Sequence, residues 1–132
     1  GGYVVQAERY IPDAAFISYE KLPVLRYDRG YIPAPPDLAV EVISYTDQKN
    51  KITTKVANYL ASRTVVWLVD PEEQTISIIR PGQAVRTLKI NDTLDGGDVL
   101  PGFSVPVNKL FPKQRPQAEA KTDDKDTSDN SQ

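Results

Sequence analysis

The 132-residue sequence contains no cysteine, no histidine and no methionine. Without cysteine there is no disulfide framework, no thiol nucleophile and no thiolate-bound zinc. Without histidine a Ser-His-Asp triad, an imidazole base and a histidine-ligated metal are excluded. Acid–base or metal chemistry therefore falls to Asp, Glu, Lys and Tyr. No apolar run approaches the ~18 residues of a membrane span, and the chain opens Gly1-Gly2-Tyr3 without a signal peptide. The missing methionine, at position 1 included, points to a processed chain or a fragment. Lys+Arg is 16 against 18 Asp+Glu, a net charge of −2. That balance weighs against a strongly cationic nucleic-acid coat. It does not exclude an enzyme that touches a few phosphates and brings its own metal.

The length suits one domain, and its composition changes near Pro112. Residues 113–132, KQRPQAEAKTDDKDTSDNSQ, carry 4 basic and 5 acidic groups and little that could enter a core. Such a segment cannot bury enough apolar area to offset its chain entropy, so it reads as a disordered polar tail. Residues 1–112 are the folded body.

Short β-type runs dominate that body: YVVQ from Tyr3, AAFIS from Ala14, LAVEVIS from Leu38, TVVWLV from Thr64, TISII from Thr75 and VRTLK from Val85. Residues 26–36, with Gly30, Pro33, Pro35 and Pro36, read as a loop. Turns are expected at 70–74 and 81–83. One helix is expected from Thr46 or Asp47 to Ala61, because Ile52, Val56, Tyr59 and Leu60 recur on one helical face. It joins two runs that are apolar on both faces, the pattern of a parallel strand pair with a crossover helix. The fold class is α/β or α+β, strand-rich, ending in a β-meander.

Glu41 is the anomaly. A carboxylate inside a buried strand costs several kcal/mol unless it is paired, hydrogen-bonded, metal-bound or neutral. Alternation puts Asp37, Ala39, Glu41 and Ile43 on one face, but Asp37 lies roughly 13 Å upstream of Glu41 at ~3.3 Å per residue. If the strand at 14–18 pairs with that at 38–44, Asp13 approaches Glu41 from its neighbour. Two converging carboxylates suit a hard cation, Mg2+ or Mn2+. Lys55, with Lys51 one turn earlier, is the candidate to meet charge developing on a phosphate. The plainer reading has Glu41 salt-bridged to a Lys or Arg on an edge strand, Pro-Asp serving as turn chemistry, and the lysines forming a solvated helix face. Asn58 and Tyr59 carry no specific signal.

Pro36-Asp37-Leu38-Ala39-Val40-Glu41-Val42-Ile43-Ser44 is followed by Lys55-Val56-Ala57-Asn58-Tyr59-Leu60, Val66-Trp67-Leu68-Val69-Asp70-Pro71 and Leu100-Pro101-Gly102-Phe103. With Pro12-Asp13-Ala14-Ala15-Phe16-Ile17 upstream, the chain closely resembles the Uma-two family of restriction-endonuclease-like domains, bacterial proteins with the P-D-(D/E)-X-K nuclease fold. The resemblance spans about residues 2–111. It implies a restriction-endonuclease-like mixed β-sheet flanked by helices, with Asp13, Asp37 and Glu41 as metal ligands and Lys55 as the catalytic lysine. The general pattern puts that lysine two residues after the acid, where this chain has Ile43; the resemblance implies a shift onto the helix. It further implies a cytoplasmic, Mg2+- or Mn2+-dependent endonuclease acting on DNA, with no membrane association. Lys49, Lys51, Lys55 and Arg63 would lend local positive charge. Family members usually carry a longer N-terminal segment. A short member would leave a sheet edge or an apolar face open, favouring a homodimer. The alternative is a catalytically incomplete nuclease-fold module that serves protein or nucleic-acid interaction; action on RNA fits the same residues.

Overall fold

A computed structural model describes residues 2–21, 31–44 and 49–112, with Lys49 and Asn50 described by backbone alone. The tail at 113–132, Thr46 and Asp47 lie outside the described residues.

The core is a five-stranded mixed sheet in the order β3-β5-β6-β7-β8. Its strands are β3 (Ala14–Phe16), β5 (Leu38–Val42), β6 (Val65–Asp70), β7 (Thr75–Ile79) and β8 (Arg86–Leu88). β5 and β6 are the most apolar, and both lie inside the sheet. They pair in parallel, with Leu38 opposite Val65 and Glu41 opposite Leu68. A parallel pair cannot be closed by a tight turn, and helix α1 (Lys49–Ala61) makes the crossover. β6, β7 and β8 form the expected antiparallel meander. Asp70 Oδ1 accepts the backbone N–H groups of Glu72 and Glu73 and so fixes the turn at 70–74.

The two faces of this sheet are covered differently. Ala39 and Val66 pack with Tyr59 of α1 and with Val5. On the opposite face Leu38, Trp67, Ile76, Ile78 and Leu88 pack with Leu94, Val107 and Phe111 from the C-terminal part of the body. Where the resemblance implied flanking helices, this second cover is not α-helical among the described residues. Among the described residues it is the antiparallel pair β9 (Thr93–Asp95) and β10 (Ser104–Pro106), followed by a 3-10 turn at Val107–Lys109. A third sheet, β2-β1-β4, joins Gly2–Val5 (β1) to Glu8–Tyr10 (β2) and Tyr31–Ile32 (β4). The two-residue β4 falls in the stretch expected to be loop.

α1 ends in a Schellman motif: Thr64 N–H reaches Tyr59 O at 2.9 Å and Arg63 N–H reaches Leu60 O at 3.0 Å. Arg63 takes the left-handed position, φ 63°. The buried Thr64 hydroxyl then donates to Pro36 O at 2.7 Å, tying the start of β6 to the entry of β5. These bonds set the level at which α1 lies across β5.

Candidate functional site

Glu41 is the one charged residue among the buried side chains described, 5% exposed. Strand alternation turns it, like Ala39, toward α1. Lys55 and Tyr59, one helical turn apart, project to the same spot. Tyr59 Oη donates to Glu41 Oε2 at 3.0 Å, and Lys55 Nζ donates to Oε1 at 3.4 Å. Both carboxylate oxygens thus face donors from the helix. The cation is therefore on α1, not on an edge strand.

Burial pushes the Glu41 carboxyl above the ordinary carboxylate range; Lys55 and the Tyr59 hydroxyl pull it partway back, and the charge of Asp13 adds to the rise. Tyr59 is fully buried. Burial, then the Glu41 charge, raises its phenol strongly, so it remains a proton donor.

Lys55 is steered from a second side. Its ammonium lies 5.5 Å from the ring centroid of Tyr10. Tyr10 packs on Tyr59 at 5.4 Å between centroids, and its hydroxyl accepts a bond from Asn58 Nδ2 at 2.8 Å. Tyr10, Lys51, Thr54 and Lys55 line a cavity of about 370 Å3. Through it Lys55, whose side chain is 27% exposed, meets solvent.

β3 pairs antiparallel with β5, Ala14 opposite Val40. The same register brings Asp13 level with Glu41. Asp13 Oδ2 accepts the N–H of Val42 at 2.7 Å, extending the ladder with a side chain where strand pairing stops. Asp13, Glu41 and Lys55 therefore gather at one end of β5.

Asp37 is not brought to them. It precedes β5 at the other end, where Oδ1 pairs with Lys21 Nζ at 3.1 Å and Oδ2 accepts Ser18 N–H at 2.7 Å. Three residues of extended chain, Leu38 to Val40, separate it from Glu41, and no three acidic side chains among the described residues converge as a metal cluster. The basic residues also divide. Lys51 and Lys55 share the small cavity, and Arg63 lies in a separate cleft beyond the end of α1.

The comparisons with known proteins agree with this arrangement of elements. The model of the Uma2 family, described as "Putative restriction endonuclease", matches residues 3–108. The chain belongs to the Uma2 family. Its structure is similar to a crystal structure of "a putative nuclease belonging to DUF820" from Anabaena variabilis ATCC 29413, with a TM-score of 0.73 at 20% sequence identity. The alignment covers 83% of this chain and 64% of that one, so the Uma2 chain spans less than two thirds of its neighbour's length. No curated protein matches it. The two proteins share a fold, and at this identity the likeness extends no further.

Two members of the site went unread in the Uma2 sequence. Tyr59 reads as one more apolar position on the helical face, and Tyr10 falls in none of the expected elements. One signal was present: a hydroxyl-bearing ring one turn from Lys55, on a face turned toward a strand that buries a carboxylate.

Proposed function

We propose that this Uma2 chain is a metal-dependent endonuclease that hydrolyses DNA phosphodiester bonds at Glu41. One observation carries the reading: a buried glutamate level with Asp13 on the neighbouring strand, faced by a lysine that opens to solvent. A stability-driven core has no use for this grouping, because a buried ion pair rarely repays its desolvation. The fold family implies a divalent cation, and the donors fit one. They are hard oxygens; burial raises the Glu41 carboxyl, and the charge of Asp13 adds to the rise. Magnesium characteristically takes one or two carboxylates, keeping its remaining positions for water and phosphate. Asp13 and Glu41 would hold it. When bound, the ion lowers the pKa of an attacking water and neutralises charge on the phosphate.

The chain's own groups supply the rest. Lys55 presents its ammonium at the cavity mouth, where it stabilises the negative charge that develops on the phosphate oxygens. Tyr59 holds Oε2 of Glu41 and so fixes the carboxylate plane, acting as a positioning residue. Tyr10 confines Lys55 from the other side. Asp37, spent on Lys21 and Ser18, holds the entry of β5 and takes no part in the chemistry. The catalytically silent alternative draws on the Lys55–Glu41 ion pair and the missing third carboxylate.

Plasmid DNA incubated with Mg2+ or Mn2+ separates the two. Wild-type protein is expected to nick or linearise it, and Glu41→Ala to leave it supercoiled. Cleavage that survives the substitution, or no cleavage by wild type with either metal, contradicts the proposal.

A further inference from the structure

A second cleft of about 820 Å3 lies away from Glu41, lined among others by Arg63, Arg80, Arg86, Gln83, Asp95 and Asp98. Its place follows from the register. Val65, also in its lining, pairs at the start of β5 with Leu38, three residues before the Glu41–Leu68 pair. Arg86 lies opposite Ile78, and Arg80 is two residues beyond Ile78. Strand alternation therefore puts both on the face packed by Leu94 and Val107, opposite α1. The cleft thus occupies the other face and the other end of the sheet, between its edge and the β9–β10 side.

Three guanidinium groups gather here in a chain of net charge −2. Among the described residues no hydrogen bond or salt bridge engages any of them; the two salt bridges present involve Lys21 and Lys55. Asp95 and Asp98 share the cleft yet stay unpaired with the arginines. Asp95 Oδ1 instead accepts Gly97 N–H at 2.7 Å. Among the described residues no ion pair joins the cations to the carboxylates that line this cleft.

Two backbone features keep the arginines there. Gly97 has φ 56°, and a Cβ at that position would stand 2.9 Å from Arg80 Nη2, so the guanidinium lies directly on the glycine. Arg63 occupies the left-handed closing position of the α1 Schellman motif. Glycine is favoured there, and a side chain strains the backbone. An arginine at that cost is accounted for if its head group has a use.

We propose that this cleft is a phosphate-binding site, separate from Glu41 and independent of the nuclease reading. The arginines would take the phosphate oxygens, and Asp95 and Asp98 would accept bonds from hydroxyl or amino groups of the same ligand. A nucleotide and a nucleic-acid backbone both offer that chemistry.

The full chain is titrated in EDTA, which silences any cleavage, with inorganic pyrophosphate by calorimetry and with a short fluorescein-labelled duplex by anisotropy. Arg63→Gly removes a charge while relieving backbone strain, so weaker binding by this variant cannot come from unfolding. It is expected to lower pyrophosphate affinity about tenfold. Arg80→Gln with Arg86→Gln is expected to abolish the binding, and Asp98→Asn to strengthen it. If duplex affinity falls in parallel and its salt dependence flattens by about one unit per arginine lost, the ligand is a nucleic-acid backbone. If only pyrophosphate binding falls, it is a free phosphate compound. Wild-type pyrophosphate affinity in all three variants, or no binding by wild type, overturns the site. Plasmid cleavage by wild type and Glu41→Ala is scored separately, so either reading can fail alone.

Discussion

Glu41 is costly where it sits. The folded state raises its carboxyl above the ordinary value of 4.5, so between that value and the raised one the folded chain binds more protons than the unfolded chain. Stability conferred by the protonated form is full below the unfolded pKa and is lost as pH rises through the folded one. The slope cannot exceed about 1.4 kcal/mol per pH unit for one proton. In metal-free buffer, Glu41→Gln is expected to gain stability relative to wild type as pH rises from 4.5. Chemical denaturation at a series of pH values reads that difference; a constant gap between the two proteins would contradict it. Tyr59→Phe leaves Oε2 without its buried donor and is expected to cost about 1–3 kcal/mol. Lys55→Met is expected to cost stability as well, since it leaves Oε1 of the buried Glu41 without its cation, and to lower the cleavage rate of the folded protein about 100-fold. Glu41 itself was legible as an anomaly because a lone acid interrupts an apolar strand. Its partners were not legible to the same degree. Lys55 was legible as a candidate cation on the expected helix, and Tyr59 was hidden by the aromatic ring that qualifies it equally for a core.

At the scale of elements, apolar content and length carried the reading. β5, α1 and β6 were legible because two runs buried on both faces flank a helical period, and a parallel pair with a crossover is the standard answer to that pattern. β2, β4, β9 and β10 are two or three residues long. No alternation can show over so few residues, and tertiary pairing alone makes them strands. Asp37 shows the limit of face-counting. It precedes β5, and its direction is set by Ser18 and Lys21, residues that alternation along one strand does not include. Asp37→Asn is therefore expected to lose about 1 kcal/mol of stability through its ion pair and N–H acceptor, while cleavage stays within a few-fold of wild type. Loss of cleavage with the fold intact would return Asp37 to the metal site.

The described residues are built around one five-stranded sheet with two unlike faces. Helix and N-terminal strands enclose the Glu41 side, and the C-terminal β9–β10 pair closes the other around Trp67. No described helix is long and apolar enough to cross a membrane. Trp67 is the sole tryptophan, 5% exposed and stacked obliquely on Phe103 at 5.7 Å, so its fluorescence reports the far face. Leu94→Ala is expected to lower stability by about 2–5 kcal/mol through the cavity it opens there. Its denaturation midpoint, read by Trp67 emission, should fall accordingly. Removing that packing leaves the α1 side untouched, so the variant should keep cleaving at temperatures where it remains folded.

The central claim is that Asp13 and Glu41 together hold a divalent cation, and a crystal soaked in Mn2+ tests it most directly through the anomalous scattering of the metal. The expected result is one strong peak about 2 Å from carboxylate oxygens of both residues, beside the Lys55 ammonium and absent from crystals of Glu41→Gln. A peak held by Asp37, or no peak near Glu41 while Lys55 keeps its ion pair, would contradict the account.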